Sequence, residues 1–352
     1  MYGSVANKLS SPEAKNEING DEATFAGCNI SAVAYSAFTK ASYANAWRMN
    51  VAITGGTGFV GSILTDRLLA EGHEIRVLTR NKEYKKNGVD SYVGDLLDES
   101  FDVGGFVEDV DILYNCCGEL TDESKMKPLH VDGTKKLLHA SVSTIGRWVQ
   151  LSSVGVYGCN RSGSVSETSP ELPIGEYERT KAESDHLVVS SEIPSVLLRP
   201  SIVFGEGMSN QSLHQFIQAI QNGRFFYIGK EGATLNYVHV DDVIKAMILC
   251  GTADCAIGNS FNFSDSIQIE QLVRAFCTSR TNKKVRRLPE IPVRMLTALI
   301  GWTGVIPLTK SRIDALTGRC VYDSSKIQEQ LGFTFESTLE EQFQSFACKN
   351  KK

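Results

Sequence analysis

Tyr177 and Lys181, in the run Tyr177-Glu178-Arg179-Thr180-Lys181, set a phenol and an amine four residues apart. On a helix two such side chains share one face. A phenol is idle as a base near neutral pH unless its pKa falls, and a nearby ammonium favours the phenolate. The pair follows a strand-like run, Trp148 to Ser152, that ends in Ser152-Ser153. Further upstream, residues 50–61 read Asn-Val-Ala-Ile-Thr-Gly-Gly-Thr-Gly-Phe-Val-Gly. The apolar run Val51-Ala52-Ile53 stops at the glycines, and Phe59, Val60, Ile63, Leu64, Leu68 and Leu69 then follow a helical pattern. Gly56, Gly58 and Gly61 have G-x-G-x-x-G spacing. Such a turn lets the backbone approach a pyrophosphate and aims a helix N-terminus at its charge. The strand before the glycines and the helix after them make dinucleotide binding the reading.

The elements that must position these groups alternate from Met49 onward. Strand-like runs occur at Ile75 to Thr79, Tyr92-Val93, Asp111 to Asn115, Trp148 to Ser152 and Ser195 to Arg199, the last ending at Pro200. Between them lie helical patterns, one holding Val131, Leu137 and Leu138 and another running from about Glu176 to Ser190. A polar Gly/Ser/Pro-rich loop spans Gly158 to Gly175. Strands spaced by helices imply an α/β fold, and right-handed crossovers make it a doubly wound parallel (Rossmann) sheet with its crevice at the strand carboxyl ends. After Pro200 the rhythm loosens, with late helical patterns at Ser325 to Leu331 and Leu339 to Phe346. The expected division is a dinucleotide-binding domain over 49–200 and about 236–264, and a smaller, partly helical substrate lobe over about 201–235 and 265–346. A tail covers 347–352. Residues 1–48 lack periodicity and an apolar h-region, and their four acidic residues oppose a transit peptide, so they read as a disordered extension. Met49 stands two residues before the first strand, so the extension reads as a start-site or cloning addition.

The 352-residue chain carries a net charge of −5 and no basic stripe, which gives no footprint for nucleic acid. Its nine cysteines are odd in number, scattered and without C-x-x-C spacing, which points to a reducing, cytoplasmic setting and against a disulfide framework or structural zinc. The six histidines form no ligand spacing, so no metal is expected. No run has transmembrane length. The apolar stretch Ile291 to Leu308 is interrupted by Arg294, Gly301, Gly304 and Pro307, and reads as core, substrate lid or a membrane-interface surface.

Taken together, the three motifs resemble the extended short-chain dehydrogenase/reductase family, the group of nucleotide-sugar epimerases and dehydratases, from Met49 to about Phe346. Gly55-Gly56-Thr57-Gly58-Phe59-Val60-Gly61 is similar to its nucleotide turn, and Gly94-Asp95, followed by Leu96, resembles its adenine contact. Asn115-Cys116-Cys117-Gly118 stands beside the cofactor ribose in that comparison. Leu151 to Gly158 resembles the catalytic-serine strand, with Ser153 in the serine's slot, and Tyr177 and Lys181 match the catalytic pair. Arg199-Pro200-Ser201-Ile202-Val203-Phe204-Gly205 and Asn236-Tyr237-Val238-His239-Val240-Asp241-Asp242-Val243 match further signatures. The resemblance implies that Tyr177 exchanges a proton with a substrate oxygen, and that Ser153 donates a hydrogen bond to it. It also implies that Lys181 lowers the tyrosine pKa and holds the nicotinamide ribose.

Departures from the family pattern narrow the expectation. Val154 and Gly155 stand where the dehydratases carry an Asp-Glu pair, which opposes water elimination, and the cysteine of the fucose-forming epimerase-reductases is missing. Thr79-Arg80 replaces the acid that binds a ribose 2′-hydroxyl; a guanidinium can hold a 2′-phosphate, so NADP is favoured slightly over NAD. Leu235 and Asn236 occupy places where UDP-sugar epimerases have an arginine for the diphosphate, leaving Arg312 and Arg319 as substitutes. His130 replaces a common asparagine, and His239 reads as a bridge between lobes. The leading expectation is an NAD(P)-dependent oxidoreductase or epimerase acting on a nucleotide-activated sugar, working as a homodimer. The alternatives are a ketone reductase of hydroxysteroid or dihydroflavonol type, and a non-catalytic cofactor sensor.

Overall fold

The computed structural model describes residues 24–25, 28–29, 48–159, 162–208, 211–276, 285–300 and 308–349. The expected disorder of 1–48 falls almost wholly outside these residues; within that stretch, Thr24–Phe25 and Cys28–Asn29 pair as antiparallel two-residue strands. Seven strands form the main sheet: β1 (Asn50–Thr54), β2 (Glu74–Thr79), β3 (Val89–Val93), β4 (Val110–Asn115), β5 (Ile145–Leu151), β6 (Ser195–Pro200) and β7 (Ser260–Phe263). Their spatial order is β3-β2-β1-β4-β5-β6-β7, and every pair is parallel. The helices that matter for the site are α1 (Phe59–Ala70), α2 (Gly133–Ser141), α3 (Glu176–Val189) and α4 (Val240–Thr252).

Period-two alternation sends apolar side chains to both faces of this sheet, as a buried parallel sheet requires. Val51, Ile53, Ile112, Tyr114 and Val149 pack with Leu64 and Leu68 of α1 and Val243, Ile244 and Met247 of α4. Ala52, Leu113, Trp148 and Leu197 face the other way, against Leu137 of α2 and Val188 of α3. Each such fully buried aliphatic contributes about 1.5–3 kcal/mol. Helix α1, which follows the glycine turn, and α3, which carries Tyr177 and Lys181, are therefore fixed to the sheet by ordinary core packing.

A second core gathers Phe204, Leu213, Ile217, Leu235, Leu272, Phe343 and Phe346, with Phe204 and Phe343 stacked at 4.5 Å. The stretch 265–346, expected in one lobe, contributes to both cores: Ile327, Leu331 and Phe333 join the main one. Strand β7 and the pairing of Ser162–Val165, inside the expected loop, with Arg319–Tyr322 had no signal in the local pattern. In the helix Glu290–Ile300, Ile291, Met295, Leu296 and Leu299 remain exposed, so the described part of the apolar stretch is not core; residues 301–307 lie outside the described residues. Cys255 is disulfide-bonded, which the scatter of the cysteines in the sequence did not point to, while Cys116, Cys117, Cys159, Cys250, Cys320 and Cys348 are free. Among the described residues no helix is long and apolar enough to cross a membrane, and no His/Cys/Asp/Glu group could hold a metal ion.

Candidate active site

The chain leaves β1 toward one sheet edge and returns to β4 on the other side, so the loops after Thr54 and Asn115 diverge and open a crevice. Gly55 takes φ of +66°, and a Cβ there would lie 2.8 Å from the backbone of Cys116 and Cys117. Only glycine lets the two loops pass so closely. Gly61 is as confined, because a Cβ would enter the Gly55 carbonyl. The turn is closed by the Gly58 amide donating to the Gly55 oxygen at 2.9 Å. Helix α1 then begins with no acidic residue in its first turn and no side-chain cap from Gly58. That leaves a positive helix end aimed at the crevice, the arrangement a pyrophosphate fits.

A cavity of about 1200 Å³ runs from this turn across the carboxyl ends of the strands. Gly55, Gly58, Phe59, Val60, Gly61 and Cys116 line its floor, and Ser153, Tyr177 and Lys181 share its wall. Ser153 stands just past β5, where its hydroxyl accepts from the Gly155 amide at 3.0 Å and caps the short helix Val154–Tyr157. Lys181 is buried, and its Nζ donates to the Leu151 carbonyl at 2.6 Å. Burial pushes its pKa down, opposed by the Asp185 carboxylate one turn along. The Tyr177 phenol is pushed up to about 12 by burial first, then by the carboxylates of Glu178 and Asp185. This direction is opposite to the one expected from the Tyr-x-x-x-Lys spacing. The lysine charge is committed to a backbone carbonyl, and desolvation of the ring dominates. At neutral pH Tyr177 therefore holds its proton and can donate it.

The wall is fixed by buried polar groups whose roles were not readable locally. Thr54 Oγ1 donates to Asn115 Oδ1 at 2.5 Å, Asn115 Nδ2 donates to Gln150 Oε1 at 3.0 Å, and Gln150 Nε2 donates to Ser184 Oγ at 3.1 Å. This line crosses β1, β4 and β5 and ends on α3, so it ties the helix of Tyr177 and Lys181 to the strands of the glycine turn. Deeper, Asp185 accepts from Ser152 Oγ at 2.6 Å and from Arg199 Nε at 3.1 Å, and Arg199 also pairs with Glu171 at 2.6 Å. Burial raises the Asp185 pKa, with Arg199 acting against it. The i,i+4 step from Lys181 to Asp185 was the one sequence signal for this network.

Other expected site residues stand elsewhere. Thr79 ends β2, Arg80 follows it, and Asp95 and Leu96 come after β3; none of the four is part of the cavity wall. Thr79 Oγ1 accepts from the Asn81 amide at 3.1 Å, and Asp95 Oδ1 from the Leu97 amide at 3.0 Å, so both shape their own turns. Arg80 is exposed and close enough to Lys125 to act on its charge. Arg312 and Arg319 do not reach the cavity; Arg319 donates to the Glu231 carbonyl at 2.9 Å. Among the described residues, the basic ones that line it are Lys181 and Lys310. His239 caps α4, accepting from the Asp241 amide at 3.3 Å, and its ring meets Phe204 of the second core at 5.2 Å.

Residues 51–262, from β1 to β7, match the model of the NAD dependent epimerase/dehydratase family. The chain belongs to that family. A low-salt glycan biosynthesis protein of Haloferax volcanii is 27% identical over 249 residues, covering 64% of this chain and 79% of that protein. UDP-glucuronic acid decarboxylase 1 of Danio rerio is 23% identical over 321 residues, 80% of this chain and 74% of the relative. Among solved structures, UDP-glucuronic acid 4-epimerase from Bacillus cereus in complex with NAD superposes with a TM-score of 0.65 at 19% identity, over 85% of this chain and 96% of that one. This member of the family thus has the extended short-chain dehydrogenase fold, a Rossmann sheet with a second core beside the crevice.

Proposed function

We propose that this protein is an NAD(P)-dependent oxidoreductase or epimerase acting on a carbinol or ketone of a nucleotide-activated sugar. The observation that carries the reading is that Ser153, Tyr177 and Lys181 line the same cavity that begins at the glycine turn. The α1 N-terminus and Gly55, Gly58 and Gly61 would hold the cofactor pyrophosphate, Cys116 would border the ribose, and Asp95 with Leu96, beyond the cavity wall, would flank the base. When bound, the nicotinamide supplies the hydride acceptor or donor. Tyr177, protonated at neutral pH, gives its proton to a substrate carbonyl oxygen as that carbonyl is reduced, and the phenolate so formed can take the proton of a substrate hydroxyl in the reverse direction. Ser153 would donate to the same oxygen, and the Lys181 ammonium, anchored on the Leu151 carbonyl, would have donors left for the ribose. Arg80, with no acid in its place, favours a 2′-phosphate and hence NADP.

Named relatives that act on UDP-glucuronic acid support a nucleotide sugar as substrate. One feature favours a second reading, an apolar ketone or alcohol. No arginine lines the cavity among the described residues, whereas Phe59, Leu120, Ile174, Ile202 and Met208 do.

Denaturing the purified protein and identifying the released nucleotide, alongside incubation with UDP-glucuronic acid and with NADPH plus a steroid ketone, separates these readings. Retained cofactor with a new sugar epimer and no net turnover identifies an epimerase; stoichiometric NADPH consumption identifies the reductase. Absence of both nucleotide and turnover would refute the proposal. Tyr177→Phe is expected to abolish turnover while leaving cofactor bound.

A further inference from the structure

His130 lies outside the cavity wall but touches three of the parts that build it. It sits in a π-helical turn, Pro128–Asp132, that leads into α2, and it is 2% exposed. Its Nε2 lies 2.9 Å from the Glu119 amide and its Nδ1 lies 2.8 Å from Thr180 Oγ1. Its ring meets the Tyr177 ring edge-on, with centroids 5.6 Å apart at 84°. A backbone amide can only donate, so Nε2 is the acceptor and the ring proton sits on Nδ1. Nδ1–H then donates to Thr180 Oγ1, and the Thr180 hydroxyl in turn donates a hydrogen bond to the Glu176 carbonyl at 2.8 Å. Every polar atom of the chain from Glu119 through His130 to α3 is satisfied in one tautomer only.

The two ends of this tether matter. Glu119 follows Cys116, Cys117 and Gly118, all in the cavity wall, and its carboxylate accepts from the amides of Leu120, Thr121 and Asp122. It therefore organises the whole loop after β4. Thr180 adjoins Lys181, and the carbonyl it holds belongs to the first turn of α3, next to Tyr177. The π-helical turn widens the backbone where the imidazole must fit, a feature often met at functional sites.

Building on the proposed catalytic set, we infer that His130, as the neutral Nδ1–H tautomer, is a positioning residue that locks the Tyr177 ring and the first turn of α3 against the loop after β4. A second proton on the ring would turn Nε2 into a donor facing the Glu119 N–H and break the tether. The groups that face it are the Lys181 ammonium, which opposes protonation, the Glu119 carboxylate, which favours it, and the uncharged Tyr177 phenol.

Two measurements on the full-length protein test this inference. The first needs no substrate. In ¹⁵N-histidine NMR spectra, assigned with His130→Gln, the His130 signals are expected to show the Nδ1–H tautomer down to about pH 5. With tyrosine labelled at the ring carbon bearing oxygen, assigned by Tyr177→Phe, His130→Leu is expected to shift or broaden the Tyr177 resonance, and His130→Gln to restore most of it. A doubly protonated ring at neutral pH, or an unmoved Tyr177 signal in His130→Leu, overturns the inference. The second is kinetic, with UDP-glucuronic acid and NAD as the probe. His130→Leu and Thr180→Val are each expected to lower kcat at least about tenfold with KM within about threefold, and the double variant to be no worse than the poorer single one. Strictly additive losses accompanied by parallel falls in thermal midpoint would mark a merely structural residue and refute the role. If Tyr177→Phe keeps full activity, the catalytic reading itself fails; if Tyr177→Phe is dead and His130→Leu is not, only the role of His130 falls.

Discussion

Replacing Gly61 by alanine tests the geometry of the nucleotide turn directly. The added methyl would sit 2.8 Å from the Gly55 carbonyl carbon and 3.0 Å from Gly56 Cα, and nearer still to the Gly55 oxygen. Carbon atoms in contact prefer about 3.5–4.0 Å, so one partner must retreat by about 1 Å. Gly55 cannot, because its far side already abuts Cys116 and Cys117. Helix α1 must therefore lift away from the sheet, loosening Leu64 and Leu68 in the core. Overpacking of this kind costs about 1–3 kcal/mol. Alanine in a helix gains about 1 kcal/mol over glycine, which offsets only part of that cost. Moving the first-turn amides about 1 Å from a pyrophosphate should weaken nicotinamide nucleotide binding by about 10- to 100-fold, which is about 1.4–2.8 kcal/mol. Titration calorimetry with NADH, run beside urea unfolding, reads both effects. If Gly61→Ala binds NADH within about threefold of the parent and is as stable, the steric account of the turn is wrong.

Three further outcomes follow from the same geometry. Arg80→Glu is expected to weaken NADPH binding at least about tenfold relative to NADH, through repulsion of the 2′-phosphate; an unchanged ratio measured by fluorescence titration removes the case for NADP. Asn115→Leu leaves Thr54 and Gln150 without their buried partner, and should lower unfolding free energy by about 2–4 kcal/mol, with a loss under about 0.5 kcal/mol contradicting the network's role. His130 is pushed down to about 4 from an ordinary value of 6.5, mainly by burial and then by Lys181. Its neutral form is thus favoured in the folded state, and the stability this contributes is present above pH 6.5 and lost as pH falls through about 4. A urea midpoint followed through that window should drop in the parent and drop less in His130→Leu; identical profiles would show that His130 does not titrate this way.

Much of the fold was legible because its cause is local. The apolar runs at Val51 to Ile53 and within Asp111 to Asn115, the helical pattern of α1, and glycines at fixed spacing are readable a few residues at a time. The register that puts Thr54 opposite Asn115, and Asn115 opposite Gln150, was not legible, because pairing partners lie far apart in the chain. The same holds for β7, whose four residues join the edge of β6 with no distinguishing pattern of their own.

The residues of the site divide in the same way. The sequence alone determined that a glycine turn, a serine at a strand end and a Tyr-x-x-x-Lys helix exist, and in which order, since each is set by residue type and spacing. The tertiary structure decided what surrounds them. It set Tyr177 half-buried in the cavity wall beside Glu178 and Asp185, so that desolvation raises the phenol's pKa where spacing to Lys181 alone implied a fall. It gave the lysine charge to the Leu151 carbonyl, kept Arg312 and Arg319 away from the cavity, and turned His130 from an unexplained substitution into a tether between loop and helix. Burial and long-range contact set the energy of a charge, and neither is a property of neighbouring residues in the chain.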